Sequence, residues 1–245
     1  MLIHGCVQSK LANLRLSRRP LALLLDAGDT LIFFDSSAVS AELASLGLQV
    51  SALRLDQAVH AAKRAYQEHL RGGTHQDGWS VLMLSLLELA GVSAADAQRN
   101  LPALRRAHDA FYFWRKVPPE LPAALARAHA AGVRLGVVSN SEGRLRSVLE
   151  RVGLADAFEL IIDSHLEGLQ KPDPAIFRLA VQRLGVPSER VVYAGDIPEV
   201  DVLGSERAGL HGVLVDAFDG YADRADLVRV RSVAELVDQL LLLPA

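Results

Sequence analysis

The sequence predicts an α/β fold: a doubly wound sheet of parallel strands with a block of helices inserted after its first strand. Three observations lead there. The stretch 21–31, LALLLDAGDTL, opens with apolar residues too few for a stable helix, runs into Asp26 and breaks at Gly28-Asp29-Thr30. From Ser36 to about Val117 apolar residues recur at three- and four-residue intervals, the period of amphipathic helices. Beyond Pro118-Pro119 short apolar runs alternate with helical patterns, and alternation at that spacing implies parallel strands joined by right-handed crossovers.

Bulk properties narrow the class. A chain of 245 residues suits one large α/β domain, or a core with one insertion. Half of its residues are hydrophobic, enough for a sizeable core and too many for global disorder. A net charge of −3 argues against nucleic acid as a partner. Cys6 is the single cysteine, which excludes an intrachain disulfide and a cysteine-based metal cluster and fits a cytoplasmic location. No apolar run approaches the roughly 18–20 residues of a membrane span, so no membrane partner is expected. Residues 1–19 carry Lys10, Arg15, Arg18 and Arg19 without an uninterrupted apolar stretch. That is a poor secretory signal, and they read as a weakly amphipathic or loosely attached tail.

Each element has its own local reason. LALLLD is a buried central strand with a carboxylate at its carboxyl end, and LIFFD leads out of the core. The block that follows reads as four helices and no strand, with Gly47 and Gly91 where carboxyl-terminal caps belong. Its glycine-dense loop is RGGTHQDG. Trp79 and the run Phe111-Tyr112-Phe113-Trp114 suit internal and hinge packing, while His60, His69 and His108 have no partner at metal-ligand spacing. After Pro118-Pro119 the expected order is helix 121–131, strand VRLGVVSN, helix 143–152, strand FELIID, then the helix PDPAIFRLAVQRLG with proline in its first turn. Strand RVVYAGD, helix 199–208, strand GVLVD and helix 233–242 complete the chain. Residues 20–35 and 119–245 thus form the α/β core, and 36–118 the helical insertion.

Three core strands end in polar groups: Asp26 after LALLL, Ser139 after LGVV and Asp196 after VVYAG. Parallel strands bring such ends to one edge of the sheet, where α/β folds bind ligands. Lys171, in GLQKPDP, begins a helix whose loop lies on that side, and Asp201 follows Asp196 at a helical start. One place then holds a nucleophilic carboxylate, a hydroxyl and an ammonium for anionic oxygens, and carboxylates able to share a metal. Phosphoryl transfer needs this inventory. Mg²⁺ keeps several waters and takes few protein carboxylates, which matches two or three aspartates.

The order of these segments resembles the haloacid dehalogenase superfamily of hydrolases. The four motifs of that family correspond to LLLDAGDTL, VVSN, EGLQKPDPAIF and YAGDIPEVD. The resemblance implies a Rossmann-like core and a helical cap inserted between the first two motifs. It implies Asp26 as the nucleophile that becomes an aspartyl ester. Ser139, with Asn140, and Lys171 would bind the phosphoryl oxygens, Lys171 also orienting Asp26. Mg²⁺ would be held by Asp26, Asp196 and the carbonyl of Gly28, with Asp201 a direct or indirect metal partner. The substrate class implied is a small phosphorylated metabolite.

One position departs from the family pattern. Family phosphatases usually carry a second aspartate two residues after the nucleophile, to protonate the leaving group. Here that position is Gly28, and the carboxylate stands at Asp29. Three readings remain open: a phosphatase, a 2-haloacid dehalogenase, or a catalytically weak binding protein. YAGDIPEVD looks like the metal-binding phosphatase form and favours the first. In the expected cap, Arg71 suits an anionic substrate and His75 a proton donor near neutral pH. Monomer and homodimer are equally compatible with the sequence.

Overall fold

All of β1 (Ala22–Leu25) is buried, as befits a strand covered on both sheet faces. The computed structural model to which it belongs describes residues 14, 16–71 and 78–245, the side chains of 67–71 excepted. Contacts divide the chain into two compact units, one of Phe34–Trp114 and the other of the chain on either side of it. The crossings lie in β2 (Phe33–Phe34) and β3 (Trp114–Lys116), which form a two-stranded sheet. This short strand pair replaces the all-helical reading of 36–117. Two- and three-residue strands leave no alternation to recognise.

The helical unit contains α1 (Ser36–Ser45), α2 (Ala52–Arg71), α3 (Gly78–Leu89) and α4 (Ala94–Phe111). The Asp35 carboxylate caps α1 by accepting from Ala38 N, and Ser93 caps α4 by accepting from Asp96 N. Gly47 and Gly91 have φ of +82° and +93°, the left-handed turn that ends α1 and α3 cheaply only with glycine. Val39, Leu43, Leu55, Val59, Met83, Leu86, Leu87 and Leu104 form its core, with Phe34 and Phe113. His108, to which the sequence assigns nothing, is buried in this core and its Nδ1 accepts from Phe113 N. Ring contacts from Phe34 to Phe113 and Trp114 agree with packing duty for those two residues of the aromatic run, whereas Phe111, expected to pack with them, is 63% exposed at the end of α4.

The second unit continues with α5 (Leu121–Ala130), β4 (Arg134–Ser139), α6 (Leu145–Arg151), β5 (Leu160–Asp163) and the single turn α7 (Ser164–Glu167). Then come α8 (Pro174–Leu184), β6 (Val191–Gly195), α9 (Leu203–Glu206), β7 (His211–Val215), β8 (Arg229–Val230) and α10 (Val233–Leu241). The six strands lie in the order β5-β4-β1-β6-β7-β8, every pair parallel. The chain thus winds outward from β1 through β4 to β5, then crosses back to β6 and outward to β8. That reversal beside β1 opens a crevice at the strands' carboxyl ends. From α8, Ile176, Phe177, Ala180 and Leu184 pack on Leu24, Val138, Val191 and Tyr193.

Two expectations are corrected. The helix expected over 199–208 is a π-type turn, Pro198–Val202, followed by the short α9. At the start of that turn the Asp201 carboxylate folds back to accept from Ile197 N at 2.9 Å, satisfying a donor that has no partner within the turn. The end of the expected tail is also not loosely attached. Arg19 N donates to Pro244 O at 2.7 Å, and its guanidinium reaches the carbonyls of Ala131, Leu241 and Leu243.

Candidate active site

Asp26 stands where β1 ends. Its backbone N–H donates to Ala194 O of β6 at 2.9 Å, so the sheet ladder itself holds the residue in register. The chain then turns tightly, with Leu31 N and Ile32 N both donating to Ala27 O and Asp29 N to Ile32 O. Asp29 takes a φ of +52° there, a strained backbone for a residue with a Cβ. Ser139 ends β4, the neighbour of β1 in which Val137 pairs with Leu25. It is buried two residues beyond that pair, where it still pairs with Asp163 of β5. Asp196 follows β6, the neighbour on the other side.

Lys171 is delivered by the segment before α8 and is buried. Its ammonium donates to Asp26 Oδ1 at 2.6 Å, to Asp201 Oδ1 at 2.6 Å and to the Tyr193 hydroxyl at 2.9 Å. An ammonium has three protons, and here each has an acceptor. Any further acceptor approaching Lys171 therefore has to replace one of them. Asn140 holds the lysine's backbone: its amide donates to Lys171 O at 2.9 Å and accepts from Lys171 N at 2.8 Å. That engagement uses both ends of the Asn140 side chain, which the sequence assigns to substrate.

Two residues that sequence reasoning passed over complete the frame. Asp163, at the end of β5, accepts from Ser141 Oγ, Gly143 N, Leu145 N and His165 N, and so shapes the loop after Ser139. Tyr193, fully buried in β6, binds Lys171 and Val138 O. A cue existed in the sequence, a hydroxyl in an otherwise apolar strand, but tyrosine is also a common strand former. Arg71 closes α2 with its side chain outside the described residues, and His75 lies outside them altogether.

Charge is concentrated at the site. Asp26, Asp196 and Asp201 can each offer an oxygen, these atoms all lying within 4.8 Å of one another. Among the described residues this cluster sets three carboxylates about the Lys171 ammonium, an oxygen-rich set that suits a divalent cation. Burial pulls the Lys171 ammonium down, but the charges of Asp201 and then Asp26 outweigh it and hold its pKa raised. Burial pushes the Asp201 carboxyl up despite the opposing pull of Lys171. The Tyr193 hydroxyl is likewise pushed up, by burial first and then by Asp201 and Asp26.

Gly195 makes this packing possible. A Cβ at that position would collide with the Asp201 carboxyl group. Gly195→Ala is expected to destabilise the fold by about 1–3 kcal/mol through overpacking, measured by urea unfolding. Unchanged stability would show that Asp201 is free to move.

Comparison with known proteins agrees with this geometry. A family model described as haloacid dehalogenase-like hydrolase matches residues 21–209. The haloacid dehalogenase-like hydrolase domain-containing protein 3 of Mus musculus is 33% identical over 206 residues, covering 79% of this chain and 80% of that protein. The glyceraldehyde 3-phosphate phosphatase of Methanopyrus kandleri is 29% identical over 195 residues, or 77% of this chain and 81% of its own. In structure, the HAD-hydrolase YfnB of Bacillus subtilis, bound to magnesium, aligns with a TM-score of 0.71 over 91% of this chain and 99% of its own. Its identity is 19%, a likeness of fold. With the family model spanning the strand that bears Asp26 and the turn that bears Asp201, the chain belongs to the haloacid dehalogenase-like hydrolase family.

Proposed function

We propose that the protein is a Mg²⁺-dependent phosphatase of a small phosphorylated metabolite, working through an aspartyl-phosphate on Asp26. The observation that carries the reading is the Asp26 carboxylate at a strand end, bound by the buried Lys171 and clustered with Asp196 and Asp201. The M. kandleri relative, named a glyceraldehyde 3-phosphate phosphatase, supports the same reaction class. Asp26, Asp196 and Asp201, with the Gly28 carbonyl, would hold the cation, which when bound supplies charge neutralisation for the phosphoryl oxygens.

In this mechanism an Asp26 oxygen attacks phosphorus while the bond to the leaving oxygen breaks, and that oxygen departs with the electron pair. Water then cleaves the new ester, regenerating the carboxylate and releasing phosphate. Lys171 fixes the direction in which Asp26 points, a contribution of positioning. Ser139 is assigned to a phosphoryl oxygen. Position 28 offers no side chain to protonate the leaving group, so substrates with stable leaving anions should turn over fastest. The Phe34–Trp114 unit is assigned as a cap, where Arg71 and His75 are proposed to meet the substrate, and the protein as cytoplasmic.

Phosphate release from p-nitrophenyl phosphate and acetyl phosphate, with Mg²⁺ and with chelator, tests the proposal. Release that requires Mg²⁺ is expected. Metal-independent chloride release from 2-chloropropionate, without phosphatase activity, would replace it with the dehalogenase reading that Gly28 favours.

A further inference from the structure

We propose that Tyr193 is a positioning residue, whose hydroxyl takes the third proton of the Lys171 ammonium and so sets where that ammonium meets Asp26 and Asp201. As far as turnover is concerned, this rests on the phosphatase reading.

The position is an expensive one for a hydroxyl. Tyr193 sits in the middle of β6, a strand buried along its whole length, and a buried hydroxyl costs free energy unless it is bonded. Phenylalanine would fill the same space without that cost. The hydroxyl's partners are also specific. It accepts from Lys171 Nζ at 2.9 Å and donates to Val138 O at 2.8 Å, with Asp201 Oδ1 at 3.2 Å. Val138 precedes Ser139 on β4, two places from β6 in the sheet, so the hydroxyl ties the ammonium to backbone on the far side of β1. The ring is fixed edge-on against Phe177, at 4.8 Å between centroids and 90° between planes. The ammonium is thus held by a group that cannot swing, which sets its direction toward Asp26.

Tyr193→Phe keeps the ring and its packing and removes only this anchor. Two measurements test it. The first is the ¹H–¹⁵N spectrum of the lysine ammonium groups, simple here because the lysines are Lys10, Lys63, Lys116 and Lys171. Wild type is expected to show one slowly exchanging ammonium, lost in Lys171→Met and shifted or broadened in Tyr193→Phe. The second is p-nitrophenyl phosphate hydrolysis, where kcat should fall about ten- to a hundredfold, the worth of a hydrogen bond to a charged group, with KM changed less than twofold. An ammonium signal unmoved by Tyr193→Phe overturns the proposal, as does a protected signal missing from wild type. So does a moved signal with unchanged kcat. If wild type hydrolyses no phosphoester, the phosphatase reading fails by itself, and the ammonium spectrum still decides whether Tyr193 positions Lys171.

Discussion

Asp26→Asn is expected to lower turnover by about four orders of magnitude or more while the protein stays folded, as removal of a covalent nucleophile does elsewhere. The amide has nearly the shape of the carboxylate, and the backbone bond from residue 26 to Ala194 O is untouched. Its oxygen can still accept from Lys171. What disappears is the charge that attacks. Stability should hold or rise slightly, because the exchange removes one carboxylate from a cluster of three. Single-turnover hydrolysis of acetyl phosphate, beside a urea melt, separates the two effects. Activity within about tenfold of wild type would refute an aspartyl-phosphate on Asp26.

Lys171→Met is the second large effect, and it strikes both activity and stability. The side chains of Lys171, Asp26 and Asp201 are 2%, 10% and 1% exposed, so this is no screened surface pair. Removing one partner from a buried ion pair typically costs about 3–5 kcal/mol. For a chain of this size that corresponds to roughly 2–4 °C in Tm for each kcal/mol. Turnover should drop by about a hundredfold or more, since Asp26 loses the group that aims it.

The loss should depend on pH in a definite direction. Asp201 is raised by burial against the pull of Lys171. Without the lysine the pull is gone and the carboxyl rises further. A group bound more tightly to its proton in the folded state favours folding as pH falls. Lys171 itself is raised, so its contribution in wild type is intact at every pH below the unfolded value of about 10.4. The variant's deficit is therefore expected to shrink as pH falls toward the unfolded carboxyl value of about 3.9, in chelator. A deficit that grows on acidification would contradict a charged Asp201 left unpaired.

The parts of the fold legible in the sequence were those with a strong period or a sharp break. β1, β4 and β6 are continuous apolar runs ending in Asp26, Ser139 and Asp196, and the parallel topology then places those ends together. α8 announced itself through Pro174 and the i, i+3, i+4 spacing of its core face. β8 did not, because Arg229-Val230 is too short to show alternation, and its place beside β7 is settled by sheet pairing alone. The π-type turn was hidden because such turns are rare and have no propensity signature of their own. The Asn140 side chain bonds the backbone of a residue 31 positions away. A bond of that kind leaves no period in the sequence.

The distance between Lys171 and Asp26 along the chain, 145 residues, also bears on how the protein assembles. Asp26, Ser139 and Asp196 come from three strands that become neighbours only when β4 and β6 have both docked on β1. A sheet that lacks β4 or β6 cannot present all three. A cation recruited by Asp26, Asp196 and Asp201 would recognise β1 and β6 once paired, with the turn after β6 in place, and ignore chains in which they are apart. Its effect on folding would be that of a ligand of every state in which that pair has formed, the native state among them, stabilising those states by mass action.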